Sequence, residues 1–327
     1  QSRALGGAIA IMPNKKITVN IGDSATDPTN HTTFLGNESG NGGAIYNYVA
    51  DLNITNATFS NNRATLEGGA IFNDRYSMNN QGVLNLDNVT FSNNYARTGT
   101  PEDTIKNDIE NRGTLNFVHN ASTLDGGVFG YYYGTTNFNL DDNEEMNIGA
   151  NTFISQKNIN INSGIVTAES GFSLTPSSKL TNNANLNIKS GWMLPSQAEG
   201  QENEYINNGT MTLGSATDDV EFLHTKLTNN GLIQGSTGND NKLCNNGSTI
   251  TNNVGATINM DIANSPFATL GVTDEDLLAY QNGELDATED AALIALISGS
   301  EIGAAIDAGT LDAATLSSTT LDETNIA

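Results

Sequence analysis

The chain has 327 residues, with 13 Lys and Arg against 37 Asp and Glu and a formal net charge of −24. That balance excludes a nucleic-acid binder, which needs a basic face against phosphates, and it argues against docking on an anionic membrane surface. Only 15% of residues are charged, while 48 are Asn, 33 Gly and just 6 Pro, a composition of a folded protein built on uncharged polar side chains rather than of a disordered one.

The opening residues Gln1-Ser2-Arg3-Ala4-Leu5 do not read as a signal peptide, so the expectation is a mature or excised piece of an exported bacterial protein. The single cysteine, Cys244, excludes an intrachain disulfide framework and a Cys-rich zinc site. No apolar run approaches the roughly 18 residues of a membrane span, so no membrane insertion by this chain is expected.

Self-similarity dominates the next 130 residues. A glycine-pair element recurs at Gly6-Gly7-Ala8-Ile9, Gly42-Gly43-Ala44-Ile45 and Gly68-Gly69-Ala70-Ile71, with a looser copy at Gly126-Gly127-Val128-Phe129. A second element alternates with it, beginning at Phe34, Phe59, Phe91 and Phe117 and ending at Asn37, Asn62, Asn94 and Asn120. The phenylalanine spacings are 25, 32 and 26. Between these elements lie alternating runs such as Leu52-Asn53-Ile54-Thr55, which read as short strands with one buried side.

After residue 150 an Asn step appears at Asn158, Asn182, Asn207, Asn229 and Asn252, spaced 24, 25, 22 and 23 apart. From Asn182 onward the step is a pair, as in Asn182-Asn183 and Asn229-Asn230. A period of 22–26 with several short strands is one rung of a parallel β-solenoid. One rung cannot bury its apolar side alone, so stability comes from stacking. Asn tolerates tight turns, and at a repeated place its amides can bond up the stack. The predicted fold is all-β, a right-handed parallel β-helix over 1–265, with Gly-Gly-Ala-Ile rungs to residue 130 and Asn-Asn rungs over 150–265.

Composition shifts at Ser265-Pro266, and residues 266–327 hold 12 acidic residues and no Lys or Arg. Helix starts are predicted at Thr273-Asp274-Glu275-Asp276 and at Thr288-Glu289-Asp290 before Ala291 to Ser298, with a third segment between Ser300 and Gly309. This segment reads as an acidic helical cap on the last rung or as an assembly element.

The alternation of Gly-Gly-Ala-Ile with Phe-x-x-Asn over residues 6–129 resembles the repeat of the polymorphic outer-membrane protein family known from chlamydiae, related to autotransporter passengers. The resemblance implies a right-handed β-helix on the outer cell surface that serves in adhesion. Polar ladders along a rod also suit self-association, so the expected partner is a host or neighbouring-cell ligand or another copy of the chain, with a structural subunit of an extracellular filament or surface layer as the alternative. The chain departs from that family in one respect: residues 266–327 lack the ten-residue alternating strands of a translocator barrel.

Residues with possible chemistry favour plainer readings, and no enzyme activity is expected. The runs Asp141-Asp142-Asn143-Glu144-Glu145 and Asp218-Asp219-Val220-Glu221 read as solvated loops rather than the carboxylate pair of a polysaccharide lyase or hydrolase, for basic residues to hold an acidic substrate are sparse. Calcium binding through these carboxylates remains open, but Gly235-Ser236-Thr237-Gly238-Asn239-Asp240 lacks the second glycine and a tandem copy of the calcium nonapeptide. His31, His119 and His224 are too far apart in sequence to suggest a metal site, and Cys244 reads as a small packed residue. Trp192, Tyr131-Tyr132-Tyr133 and Tyr205 are candidates for a carbohydrate or protein contact patch. No cofactor is predicted.

Overall fold

Alternating runs become strands because period two puts every apolar side chain on one side of an extended backbone. Here each run pairs with the corresponding run one circuit later. The computed structural model describes residues 4–13, 15–22, 31–77, 80–97, 104–130, 133–149, 154–169, 173–193, 203–215, 220–223, 225–237, 241–246, 248–264, 279–286 and 290–298.

One side of the coil stacks Ile9–Ile11, Ile45–Tyr48, Ile71–Ser77, Ile109–Asn111, Val128–Phe129 and Ile154–Ser163, all parallel. The second side starts with Thr18–Ile21, Asp51–Ser60, Val83–Ser92, Thr114–His119 and Thr135–Leu140. It continues through Ile154–Ser163, Ser173–Asn182, Glu204–Asn207, Lys226–Asn229 and Thr249–Asn252. A third side opens with Glu38–Asn41, Arg63–Glu67 and Tyr95–Arg97. Later rungs have three short strands each, as in Lys226–Asn229, Leu232–Gly235 and Lys242–Asn246, again parallel to their counterparts. The chain is a parallel β-solenoid.

Like stacks on like inside. Ile45, Ile71, Ile109, Val128 and Ile154 form one buried column. Leu52, Leu84 and Leu115 form another, continued by Thr136, Ile159, Leu180, Tyr205 and Leu227. Phe34, Phe59 and Phe91 stack nearly face to face, with centroids 4.6 and 5.1 Å apart. A core of this kind has no centre; each residue's contacts come from the rungs above and below it.

The expected rung length of 22–26 holds for the later rungs and for some early ones, such as Asn37 to Asn62 at 25 and Asn47 to Asn73 at 26, but not for all. Asn73 and its counterpart Asn111 are 38 residues apart, and Asn53 and Asn85 are 32 apart. Insertions cause the difference. They leave the coil at its corners, two of them as small antiparallel hairpins, Arg75 to Gln81 and Tyr95 to Lys106, so the register of the stacked strands is undisturbed.

Glycine pairs turn a corner that is too tight for a side chain. Gly6, Gly42 and Gly68 have φ of +59°, +63° and +69°. A Cβ on Gly7, Gly43 or Gly69 would lie 2.0–2.3 Å from a carbonyl oxygen of the next rung. The described strands end at Asn264, and α1, Ala291–Ser298, forms where the sequence places it, with Asp290 accepting the amide of Ile294. The segments predicted at 273–276 and 300–309 lie outside the described residues. Among the described residues no helix is long and apolar enough to cross a membrane.

Gly43→Ala should cost about 2 kcal/mol or more in a urea titration, because backbone on the next rung must move. Gly36→Ala, at φ +65° but with nothing within 4 Å, should cost less, about 1 kcal/mol.

Candidate functional surface: amide ladders along the coil

The sequence places Asn at repeated positions, and the fold converts those positions into columns. In the first, Asn37 donates to Asn62 at 2.9 Å and Asn62 to Asn94 at 3.0 Å. Asn62 and Asn94 are completely satisfied: each Oδ1 accepts a backbone and a side-chain N–H from the preceding rung, while Nδ2 also reaches the Phe34 or Phe59 carbonyl. That is the full capacity of a carboxamide, which explains how these side chains stay buried without penalty.

Asn182, Asn207 and Asn229, with half-buried Asn252, form a second column, linked at 2.8, 2.8 and 2.7 Å. They follow Phe138 and Ile161 in register, so an apolar column turns polar part-way along the coil. The second Asn of each pair faces out and builds its own ladder, Asn139, Asn162, Asn183, Asn208, Asn230 and Asn253. Another outer ladder runs Asn20, Asn53, Asn85, Asn116, Asn137 and Asn160, with links of 2.6–2.8 Å.

A further interior ladder is not evident in the sequence. Asn47 donates to Asn73 and Asn73 to Asn111, each at 2.8 Å. The next rung has Gly130 at this place, and the rung after it Gln156. Gln156, one methylene longer than Asn, reaches past the glycine to accept from Asn111 at 2.8 Å. The cue was available: Gly82, Gly113 and Gly134 precede strands of the second side, and at Gly82 and Gly134 a Cβ would lie 2.3 Å from an amide oxygen of this ladder.

Four assignments need correction. Phe117 pairs with Leu86 and Phe138, not with Phe91; the Phe91 column passes to Leu124 through the contact at Thr123. Asn120 is therefore off the ladder and bonds Asp87 at 2.8 Å. Asn158 sits in register with Lys179 and Thr135, three residues before the column that Asn182 occupies. Gly126 and Gly127 are displaced by one place: Val128, not Phe129, stacks on Ile109, and Gly127 follows Ala70 and Asp108. In each case an insertion or deletion at a corner breaks the equal spacing that the sequence suggests.

Tyr205, a candidate for surface contact, is wholly buried in the leucine column beside Phe222, and burial pushes its phenol well above the usual range. Tyr131, Tyr132, Asp218, Asp219 and His224 lie outside the described residues, as do the side chains of Trp192, Glu221 and Cys244. Asp141, Asp142 and Asn143 form an exposed turn, as expected, and His119 holds Asp141 at 3.1 Å. His31 is exposed. Among the described residues no three His, Cys, Asp or Glu gather to hold a metal ion.

Residues 107–112 bring two buried carboxyls and an arginine into one rung. Asp108 replaces the corner alanine, ends the first ladder by accepting from Asn94 at 3.0 Å, and accepts the amides of Asp125 and Gly126. Burial raises its carboxyl to about 6. Glu110, 1% exposed, follows Tyr46 and Phe72 in their column, and burial, aided by Glu67, raises it to about 8. Arg112 lies over the Phe72 ring, meets Glu110 at 3.4 Å and grips both oxygens of Glu67 at 2.6 Å. A shallow groove of about 360 Å³ crosses the later rungs, lined by Glu145, Thr167, Asn187, Lys189, Thr212 and Ser236 among others. Among the described residues Glu145 is its single lining carboxylate, and it already accepts from Thr167 at 2.6 Å.

The Chlamydia polymorphic membrane protein repeat matches residues 31–48 and 56–74. Those two stretches are similar to that repeat. Both matched stretches fall where the glycine corner, the phenylalanine stack and the first amide ladder recur together. No curated protein and no solved structure matches the chain.

Gln156→Asn should leave Asn111 short of its acceptor across the glycine rung and cost about 1–3 kcal/mol by urea denaturation. A carboxyl raised in the folded state binds its proton more tightly than in the unfolded chain. Its contribution is intact below about pH 4.5 and is lost as pH climbs to about 8. Glu110→Gln should therefore stabilise the protein at pH 9 by about 2–4 kcal/mol and change little at pH 4, read from denaturation midpoints.

Proposed function

We propose that this chain is the exposed part of an autotransporter-type surface protein, a non-enzymatic β-helix acting in adhesion or self-association outside the cell. The observation that carries the reading is the repeat match at residues 31–48 and 56–74, set within a coil that continues the same architecture to Asn264. We take the coil as right-handed, because crossovers between parallel strands of one sheet nearly always are. The partner is either a ligand on a host or neighbouring cell or another copy of the chain.

The outer ladders support the self-association arm. Asn53, Asn85, Asn116 and Asn137 offer the same half-exposed amide on four successive rungs. Two such rods side by side would meet in register, and many weak polar bonds then add along the length.

Beads coated with the purified chain should attach saturably to cultured cells, and sedimentation over a dilution series should show reversible association. A monomer at every concentration would remove the self-association arm, and a monomer that also fails to attach would remove the proposal.

A further inference from the structure

We propose that the corner between the first two sides, beside Pro13, Lys15 and Lys16 of the first rung, is a binding site for a carboxylated sugar ring. This deepens the adhesion reading and rests on it for biological purpose. A pocket of about 310 Å³ opens there, lined by Lys15, Lys16, Tyr48, Val49, Tyr76 and Asn80, with Pro13 at its edge. That volume suits one hexose, at the small end of ligand sites.

Three features point to this chemistry. Tyr76 is 74% exposed on the Ile71–Ser77 strand, where its hairpin leaves the coil, and together with Tyr48 it offers ring surface for the C–H side of a pyranose. Two of the chain's 13 basic residues, Lys15 and Lys16, line the pocket. Lys16 is held by Asp51 at 2.9 Å, whereas exposed Lys15 enters no ion pair among the described residues. Arg75, next to Tyr76, lies 3.6 Å over the Tyr133 ring. The nearby Asp74 accepts the Tyr46 hydroxyl at 2.6 Å. Lys15 is thus the cation for the ligand's carboxylate, with the Asn80 amide beside it for ring hydroxyls. Third, Val49 has φ +67°, a left-handed backbone that a β-branched residue rarely adopts. Such strain collects at working sites, and here it lies in the pocket wall.

Uronic and sialic acids share the required carboxylated ring, so calorimetric titration of the full chain should use sialyllactose, a glucuronate disaccharide and neutral lactose. One acidic sugar should bind saturably and at least about tenfold more tightly than lactose. Lys15→Ala and Tyr76→Ala should each weaken it about tenfold, while Tyr76→Phe retains it. Both positions are exposed, so the variants fold. The site is overturned if neither acidic sugar binds by about 10 mM, if both alanine variants bind as well as the parent, or if acetate competes as well as the sugar. Sugar binding without cell attachment supports the site and sinks only the adhesion reading; attachment without sugar binding does the reverse.

Discussion

Register between successive rungs is the constraint on which everything else depends. A residue in this coil has two principal neighbours, the residues in the same column one rung before and one rung after. Identical side chains then meet at the spacing of adjacent strands, about 4.8 Å, which is right for both ring stacking and amide pairing. Phe59 between Phe34 and Phe91, and Asn62 between Asn37 and Asn94, are the apolar and polar forms of one arrangement. A slip of one residue would send each apolar column outward, and the buried amides, satisfied only in register, would lose their partners.

The amides also set a direction. Interior columns such as Asn47, Asn73 and Asn111 donate toward the C-terminus, while the outer columns donate toward the N-terminus. Side-chain dipoles in the two layers therefore oppose each other. The chain can carry long aligned columns without building a net axial dipole from them. The rung at residues 107–112 departs from this neutral pattern. It buries two carboxyls, one satisfied by three N–H donors and the other beside Arg112, and it is where the spacing of the repeat is broken.

Function on such a scaffold belongs to the corners and outer sides, because the interior is committed to stacking. Among the described residues insertions leave the coil at corners, and one of them carries Tyr76 and Asn80, which line the lysine–tyrosine pocket. The match to the polymorphic membrane protein repeat falls in the framework rather than in these insertions.

The sequence by itself determined the strands, the coil and the existence of ladders. Period-two runs, glycine pairs and recurring Asn are local patterns whose physics needs no distant partner. It also located the helix at Ala291–Ser298, from the acids before it and the glycine after it. Which residues share a column was decided only by the tertiary structure. Phe117, Asn120, Asn158 and Gly126 fit an even spacing in the chain yet stand elsewhere in the stack, because a loop at a corner changes residue count without changing register. The bridge from Asn111 past Gly130 to Gln156, the burial of Tyr205 and the pocket around Lys15 have the same origin. Each joins residues brought together by stacking, and contacts between rungs depend on the path of the whole coil.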